Sequence, residues 1–385
     1  MKISGYYKEK GHNVILKLDY NDLHNFDIVY ISKVFTDTEI PEEPKDKSEK
    51  TTENIIQYYS KNNFLKRKNI KYGGTGFFYD KAPFLPDEIE HHMPDYHLYD
   101  EWVNQQLSNG GKRKDFEYYL EHSIGYLTRK CFRGCEFCVN RNYKKVESAS
   151  PLEEFLDSKR KYICLLDDNF LGYKDWKPLL LSLQQTNKRF QFKQGLDERL
   201  LTEEKVQLLT QSKYYGDYIF AFDNIEDKEV IINKLKLWRE YNRKNTKFYI
   251  FCGFDRNERY DDQFFKQDII DTFERIKILM EFGCLPYIMR HKNYTNSPYF
   301  GTYINFARWC NQPNFYKKMS YREYCLANQA RTKNKICTAL QYMNEFENDY
   351  PDIAKQYYDM KFNELNQCTY KHNKKEVLLY LRRKL

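Results

Sequence analysis

The chain has no uninterrupted apolar run approaching the roughly 18 residues of a membrane-spanning helix. Its first residues, MKISGYYKEK, contain no apolar core of the kind found in a secretory signal. Cysteines are too sparse, at 10 in 385 residues, for a small secreted scaffold held by disulfides. These absences predict a cytoplasmic protein with reduced thiols and no membrane partner.

Charge and aromatic content leave the partner of the chain open. A basic surface is compatible with a nucleic acid or a nucleotide, and equally with an ordinary solvated face. The 35 Tyr and 27 Phe are explained by an AT-biased coding sequence and do not by themselves define a stacking surface. The formal net charge is +8, and basic residues cluster at Lys66–Lys68, Lys112–Lys114, Lys144–Lys145 and Arg382–Lys384.

The expected fold is α/β, organised in three regions. Residues 1–115 predict a small Rossmann-like α/β domain, because short apolar runs are separated by glycine and proline. Residues 123–290 predict strands that alternate with longer amphipathic helices. Residues 291–385 predict a helical C-terminal extension, since the alternation stops after Arg290.

Local patterns place several elements. Asn13–Leu18 and Phe26–Ser32 predict strands. Ile70–Gly76 predicts a strand that runs into a tight glycine turn rather than a phosphate-binding loop, because its glycine spacing is not a dinucleotide fingerprint. The sequence SPLE at Ser150–Glu153 predicts a helix start with a capping box.

The middle region predicts a parallel sheet. Gln263–Phe282 has apolar residues at helical spacing and ends before Gly283, so it predicts one of the connecting helices. Because successive strand–helix units imply parallel strands, a partial (β/α)6 barrel is the expected closure. The predicted strands are Ile124–Thr128, Tyr162–Leu166, Phe190–Gln194, Tyr218–Phe222, Lys247–Cys252 and Leu285–Met289.

The segment CFRGCEFC carries the most specific chemical signal. Cys131, Cys135 and Cys138 have the spacing C-x3-C-x2-C. Three thiolates can each bind one iron of a 4Fe–4S cluster and leave the fourth iron open, whereas an electron-transfer cluster has four protein ligands. A structural zinc site normally needs four ligands as paired CxxC units, and no second pair exists here. We therefore expect a metal or cluster site, with Gly134 giving the loop freedom to wrap.

Polar residues follow the predicted strands and would share one rim of the barrel. The carboxyl ends of barrel strands are where such enzymes place their active sites, although helix caps also make these ends polar. The candidate binding residues at these ends are Asp167, Asp168, Asn169, Gln194, Asp197, Arg199, Asp255 and Arg290.

With these residues in hand, Ile124–Arg290 resembles the radical S-adenosylmethionine (SAM) superfamily, whose defining loop is matched by the three cysteines and Phe137. The resemblance implies that the cluster reductively cleaves SAM to a 5′-deoxyadenosyl radical, which abstracts hydrogen from the substrate. It implies that Phe137 lies near the adenine and that Gly253 allows close approach of the adenosyl part. The family often has a Gly-Gly-Glu-type motif after its second strand, where this chain has Asp167–Phe170.

The N-terminal region is similar to the cobalamin-binding-like domain of one subgroup of that family, notably in KGHNV and GGTG. It is a degenerate version, because no Asp-x-His-x-x-Gly motif is present to bind cobalt. Cobalamin is therefore not expected as a cofactor. The expected cofactors are a 4Fe–4S cluster and SAM.

The preferred hypothesis is a radical SAM enzyme served by an external low-potential electron donor, similar to flavodoxin or ferredoxin. The substrate is left open, with a nucleic acid or a nucleotide among the candidates. The alternative is a non-catalytic Fe–S or zinc module that binds nucleic acid. A family member that keeps the cluster but has lost turnover is a third hypothesis.

Overall fold

The computed structural model describes residues 1–36, 38–43, 54–332 and 335–368. By its internal contacts the chain divides into two compact units, Met1–Gln194 and Gly195–Leu385. The basic cluster Arg382–Lys384 and the last part of the expected C-terminal extension lie outside the described residues.

The first unit begins with a small α/β arrangement built on two parallel strands. Strands β1 (Val29–Ser32) and β2 (Ile70–Gly73) pair in parallel, with Val29 opposite Ile70. A buried aromatic and aliphatic cluster, including Tyr58, Phe64 and Phe77, packs around them. The helices of this part of the first unit are α1 (Lys2–Glu9), α2 (Ile55–Ser60), α3 (Thr75–Phe78), α4 (Asp87–Glu90), α5 (Asp100–Ser108) and α6 (Glu117–Glu121).

The glycine turn predicted after β2 is present, and its packing requires glycine. Gly74 has φ +104°, and a Cβ there would lie 2.3 Å from the carbonyl oxygen of Lys33. A Cβ on Gly76 would lie 2.4 Å from Cγ of Lys33. The glycines therefore allow this turn to approach the backbone that follows β1.

A second sheet in the first unit carries three parallel strands in the order β3–β6–β7. A two-residue antiparallel pair, β4 with β5, lies between β3 and β6 in the chain. Helix α7 (Trp176–Gln185) connects β6 to β7. The strands are β3 (His122–Gly125), β4 (Thr128–Arg129), β5 (Glu147–Ser148), β6 (Tyr162–Leu165) and β7 (Arg189–Phe192).

The structure corrects three expectations in this unit. The strand expected at Ile124–Thr128 ends at Gly125, because the next backbone amides bond to a side chain instead of the sheet. Asn13–Leu18 forms no strand, and its Ile15 and Leu18 are 56% and 63% exposed. The capping box at Ser150 is absent, since the Ser150 amide donates to the Tyr126 carbonyl and only a 3-10 turn follows.

The second unit has a three-stranded parallel sheet in the order β8–β9–β10. These are β8 (Tyr218–Ala221), β9 (Thr246–Cys252) and β10 (Leu285–Arg290). Helix α8 (Glu203–Gln211) precedes β8. Helix α9 (Lys228–Tyr241) connects β8 to β9, and α10 (Asp262–Glu281) connects β9 to β10. The expectation of a helix at Gln263–Phe282 is thus confirmed.

After β10 the described chain is helical, as expected for the region after residue 290. Closure of the strands into a partial (β/α)6 barrel stays a prediction. In the described part of the chain, no helix combines the length and the apolar character needed to cross a membrane. The later helices are α11 (Phe300–Cys310), α12 (Pro313–Tyr316), α13 (Tyr321–Ala330), α14 (Thr338–Asp349), α15 (Pro351–Tyr357) and α16 (Phe362–Leu365).

Candidate metal centre

The three cysteines lie on the long loop between β4 and β5, here called the cysteine loop (residues 130–146). All three are free thiols and are partly exposed. The Cys138 amide donates a 2.9 Å hydrogen bond to the Cys135 carbonyl, which closes a tight turn between these two cysteines. Gly134 has φ +63°, a conformation that side chains disfavour. The loop therefore wraps as the sequence spacing predicts.

Two of the sulfur atoms accept hydrogen bonds from nearby nitrogen donors. The Asn169 side-chain amide lies 3.3 Å from Sγ of Cys131. The backbone amide of Asn140 lies 3.4 Å from Sγ of Cys138. Burial raises the pKa of the Cys138 thiol to about 11, and the neighbouring Cys135 and Cys131 act in the same direction. A metal that binds here must displace the thiol proton, so metal affinity will depend on pH.

Three consecutive residues after β6 hold the start of the cysteine loop. Asp167 is 1% exposed and accepts from the amides of Leu127 and Thr128 and from the Thr128 hydroxyl, at 3.2, 2.7 and 2.7 Å. Asp168 accepts from the Lys130 amide at 2.7 Å. Asn169 then donates to Cys131.

These contacts also explain the backbone at the loop entrance. Lys130 has φ +73°, which is uncommon for a residue other than glycine. The bond from its amide to Asp168 offsets the strain of that conformation. The sequence had suggested the Asp-Asp-Asn run as SAM contacts, and the structure adds a role in shaping the loop.

The other end of the loop is held by residues that follow the glycine turn. The Tyr79 hydroxyl donates to the Phe137 carbonyl at 2.8 Å. Asp80 accepts from Nε of Arg141 at 2.8 Å and from the side-chain amide of Asn142 at 2.9 Å. Sequence reasoning missed Tyr79 and Asp80, because they precede the loop by about 60 residues and no motif links them to it.

The donor set fits a three-cysteine cluster. Within the described residues, no three His, Cys, Asp or Glu side chains converge closely enough to hold a single metal ion. A 4Fe–4S cluster does not require such convergence, because each thiolate binds a different iron. Cys164, the remaining cysteine of the first unit, is 2% exposed within β6. Burial raises its pKa to about 12, and the positive charge of Lys193 partly opposes this rise.

Two candidate binding residues, Asp197 and Arg199, belong to a charged network at the start of the second unit. Nε of Arg199 lies 2.8 Å from Asp197, and one of its terminal nitrogens lies 2.8 Å from Asp227. Glu198, between Asp197 and Arg199 in the sequence, is 2% exposed. Its Oε2 accepts a 3.3 Å bond from the Ala221 amide, and its Oε1 has no partner in the described chain. Burial raises the pKa of Glu198 to about 8, with the charge of Asp197 adding to the effect.

Gly253 and Asp255 shape the turn after β9. Gly253 has φ +77°, and its amide donates to Asp268 at 2.7 Å. Asp255 accepts from the amides of Asn257 and Arg259 at 3.1 and 3.0 Å. Both residues therefore contribute to local loop geometry.

The remaining two candidates lie on the surface of their units. Gln194 is exposed after β7, at the end of the first unit. Arg290 is exposed at the end of β10, with its guanidinium 4.7 Å from the ring centre of Tyr294. Along the chain the candidates follow β6, β7, β9 and β10, and their convergence on one rim of a barrel stays a prediction.

No protein-family model matches the chain, and no curated protein matches it. Its function must therefore be argued from its own residues.

Proposed function

We propose that this chain is a radical SAM enzyme in which Cys131, Cys135 and Cys138 hold a 4Fe–4S cluster. The observation that supports this most is the cysteine loop itself, with three sulfur ligands and separate anchors at its two ends. Cys164 is buried within β6 and is not part of the loop. A site with three ligands from one loop is what an open fourth iron requires.

The chain's own residues would organise that site. Asp167 and Asp168 fix the backbone that leads into Cys131, and Tyr79 and Asp80 fix the segment around Cys138. The chemistry supplied by a bound cluster of this kind is one-electron cleavage of SAM to methionine and a 5′-deoxyadenosyl radical, which abstracts hydrogen from a substrate.

The proposal includes a cytoplasmic location and an external low-potential electron donor of the flavodoxin or ferredoxin kind. Lys144 and Lys145 are exposed near the end of the cysteine loop and would favour a donor with an acidic surface. Opposite charge favours the encounter of redox partners. A partial (β/α)6 barrel remains the proposed arrangement of the strands, and a nucleotide or nucleic acid remains among the proposed substrates.

The direct test is SAM cleavage by the full chain after anaerobic reconstitution with iron and sulfide. With dithionite and SAM, the wild type should release 5′-deoxyadenosine. The triple variant Cys131→Ala/Cys135→Ala/Cys138→Ala should bind no cluster and release none. Cys164→Ala is the matched control, because it removes a buried cysteine outside the loop and should retain both iron and cleavage.

Other results would reject the proposal in recognisable ways. Stoichiometric zinc in freshly purified protein, without iron uptake, would favour a zinc module that binds nucleic acid. A cluster that binds SAM without cleaving it would indicate a family member that has lost turnover.

A further inference from the structure

The first unit contains a cavity of about 550 Å³ beside the cysteine loop. It opens at the carboxyl ends of β1 and β2, where Ser32 and Gly73 line it. The crevice outside the carboxyl ends of parallel strands is where open α/β sheets bind ligands. The volume is in the usual range of small-molecule sites. None of the three loop cysteines lines the cavity, so its function can be considered apart from the iron.

The walls of the cavity are unusually rich in aromatic rings. Phe84 is 54% exposed although it is large and apolar. The guanidinium of Arg129 lies over both neighbouring rings, 5.2 Å from the ring centre of Phe84 and 4.2 Å from that of Tyr126. An exposed ring at the mouth of a cavity is suited to stack on a planar ligand. The rings lining the cavity are Tyr30, Tyr72, Tyr79, Phe84, Tyr126 and Tyr143.

Most charges in the lining are already balanced by residues outside the cavity. Asp80 accepts from Arg141, as described above. Nζ of Lys130 lies 2.7 Å from Glu147. These pairs leave little net charge for a ligand to neutralise.

Glu90, Lys71 and Asp168 complete the lining charges. Glu90 lies 3.2 Å from Arg129 and 3.6 Å from Lys2. Lys71 is exposed on β2, with its Nζ 5.6 Å from the Tyr30 ring centre, and it forms no ion pair within the described chain. Asp168 accepts one backbone bond and also lines the cavity. The cavity therefore offers a cation, a carboxylate and several ring faces.

The lining also excludes some ligand classes. Among the described residues, no histidine, cysteine or methionine lines the cavity, so it has no soft or imidazole ligand for a metal centre. A purely apolar ligand would not use Lys71 or Asp168. A planar base with an attached phosphate uses the ring faces and Lys71.

We propose that this cavity binds a nucleotide, with the base stacked on Phe84 and the phosphate beside Lys71. The same chemistry is presented by a free nucleotide and by a nucleotide within a single strand, because base stacking does not depend on chain continuity.

The test is equilibrium dialysis of the full chain with AMP, GMP, CMP and UMP, and with a mixed-sequence RNA octamer. The matched nucleosides and inorganic phosphate are the partial ligands. Removing the phosphate should weaken binding about tenfold, as expected for one charge-assisted hydrogen bond. Inorganic phosphate alone should not bind measurably, because it cannot stack.

Two variants probe the proposed contacts. Phe84→Ala should weaken nucleotide binding at least about fivefold, since a base–aromatic stack supplies that much. Lys71→Met should weaken it about tenfold. Lys112→Met removes an exposed lysine of the same unit outside the cavity and should leave binding unchanged. Phe84 and Lys71 are exposed, and equal melting temperatures will confirm that the variants fold.

The outcomes separate cleanly. Binding of a mononucleotide that both variants weaken supports a free ligand, and binding of the octamer alone with the same sensitivity supports a nucleotide within a strand. No binding of either, or binding that neither variant changes, overturns the proposal. The measurement is made before and after iron reconstitution, so loss of SAM cleavage with nucleotide binding intact would count against the proposed function only.

Discussion

Replacing Glu198 by glutamine tests whether a buried carboxyl in the second unit is held in its neutral form. Glu198 is 2% exposed, and its Oε1 has no hydrogen-bond partner in the described chain. Its pKa is raised by burial from 4.5 to about 8. Between pH 4.5 and about pH 8 the folded state keeps a proton that the unfolded state releases. The stabilisation from this group is therefore fully present below pH 4.5. That stabilisation is lost as the pH rises through about 8.

The size of the effect follows from the shift. Each pKa unit corresponds to about 1.4 kcal/mol, so the change between these two values gives an upper limit of about 5 kcal/mol. Water entry and local relaxation will reduce it. The variant Glu198→Gln cannot ionise, so its free energy of unfolding relative to the wild type should rise steadily from pH 5 to pH 8.

Hydrogen exchange measured by mass spectrometry is the suitable assay, because it reports on the second unit separately. Peptides containing β8 (Tyr218–Ala221) should be compared between wild type and variant at the same pH, which cancels the intrinsic pH dependence of exchange. Asp223 also has a pKa raised by burial, to about 6, but it is present in both proteins and cancels as well. Glu229→Gln, at an exposed position of α9, is the matched control and should follow the wild type.

One result would refute this reasoning. If the stability difference between Glu198→Gln and the wild type is the same at pH 5 and pH 8, Glu198 is ionised in the folded protein. Burial would then not control its protonation.

Three further predictions concern the two units. Asn169→Ala removes a hydrogen bond to Cys131 that contributes about 1 kcal/mol. It should lower the reduction potential of a reconstituted cluster by about 40 mV or less, measured by a redox titration followed by EPR. An unchanged potential would contradict the contact. Asp80→Ala removes the acceptor of Arg141 and Asn142 and should speed the loss of iron to a chelator several-fold, whereas exposed Asp115→Ala should not. Arg275→Met removes the guanidinium that donates to the carbonyls of Phe222, Asp223 and Phe251 and should cost roughly 3 kcal/mol or more in urea denaturation. A loss below about 1 kcal/mol would show that water replaces the guanidinium.

The sequence predicted most strands of the described chain because burial leaves a direct record in apolar runs. The strand at Tyr162–Leu166 appears as β6, and that at Leu285–Met289 appears as β10, each within one residue. The segment Asn13–Leu18 has a similar alternation, but it pairs with no strand in the described part of the chain, and its Ile15 and Leu18 stay exposed. Alternation alone cannot show whether a neighbouring strand is present.

At the candidate site too, the sequence pattern predicts local features but not contacts between distant segments. The spacing in the cysteine loop identifies the three cysteines that we propose as ligands, because cluster chemistry favours ligands close together in the chain. The anchors Tyr79 and Asp80 could not be found this way, since a hydrogen bond between distant segments leaves no period or spacing in the sequence. Ser150 was misassigned for a related reason, because its backbone extends the β4–β5 hairpin instead of starting a helix.

The polar run after β6 leads to a final prediction about SAM. Both oxygens of Asp167 are occupied by the backbone and hydroxyl of residues 127–128. In the described chain, Oδ1 of Asn169 has no partner, and Asp168 uses only Oδ2. Oδ1 of Asn169 is buried. If SAM binds here, Asp168 is therefore the acceptor of this run that can receive its amino group, in place of the Gly-Gly-Glu-type motif that the chain lacks.

Asp168→Asn isolates this role, because asparagine can still accept from the Lys130 amide while the negative charge is lost. We expect about tenfold weaker SAM binding by the reconstituted protein, measured by equilibrium dialysis, with iron content unchanged. Asp175→Asn, an exposed aspartate of the same connection, is the control and should bind SAM like the wild type. If Asp168→Asn keeps full affinity, the run after β6 serves the loop alone, and the SAM amino group must be bound by residues elsewhere.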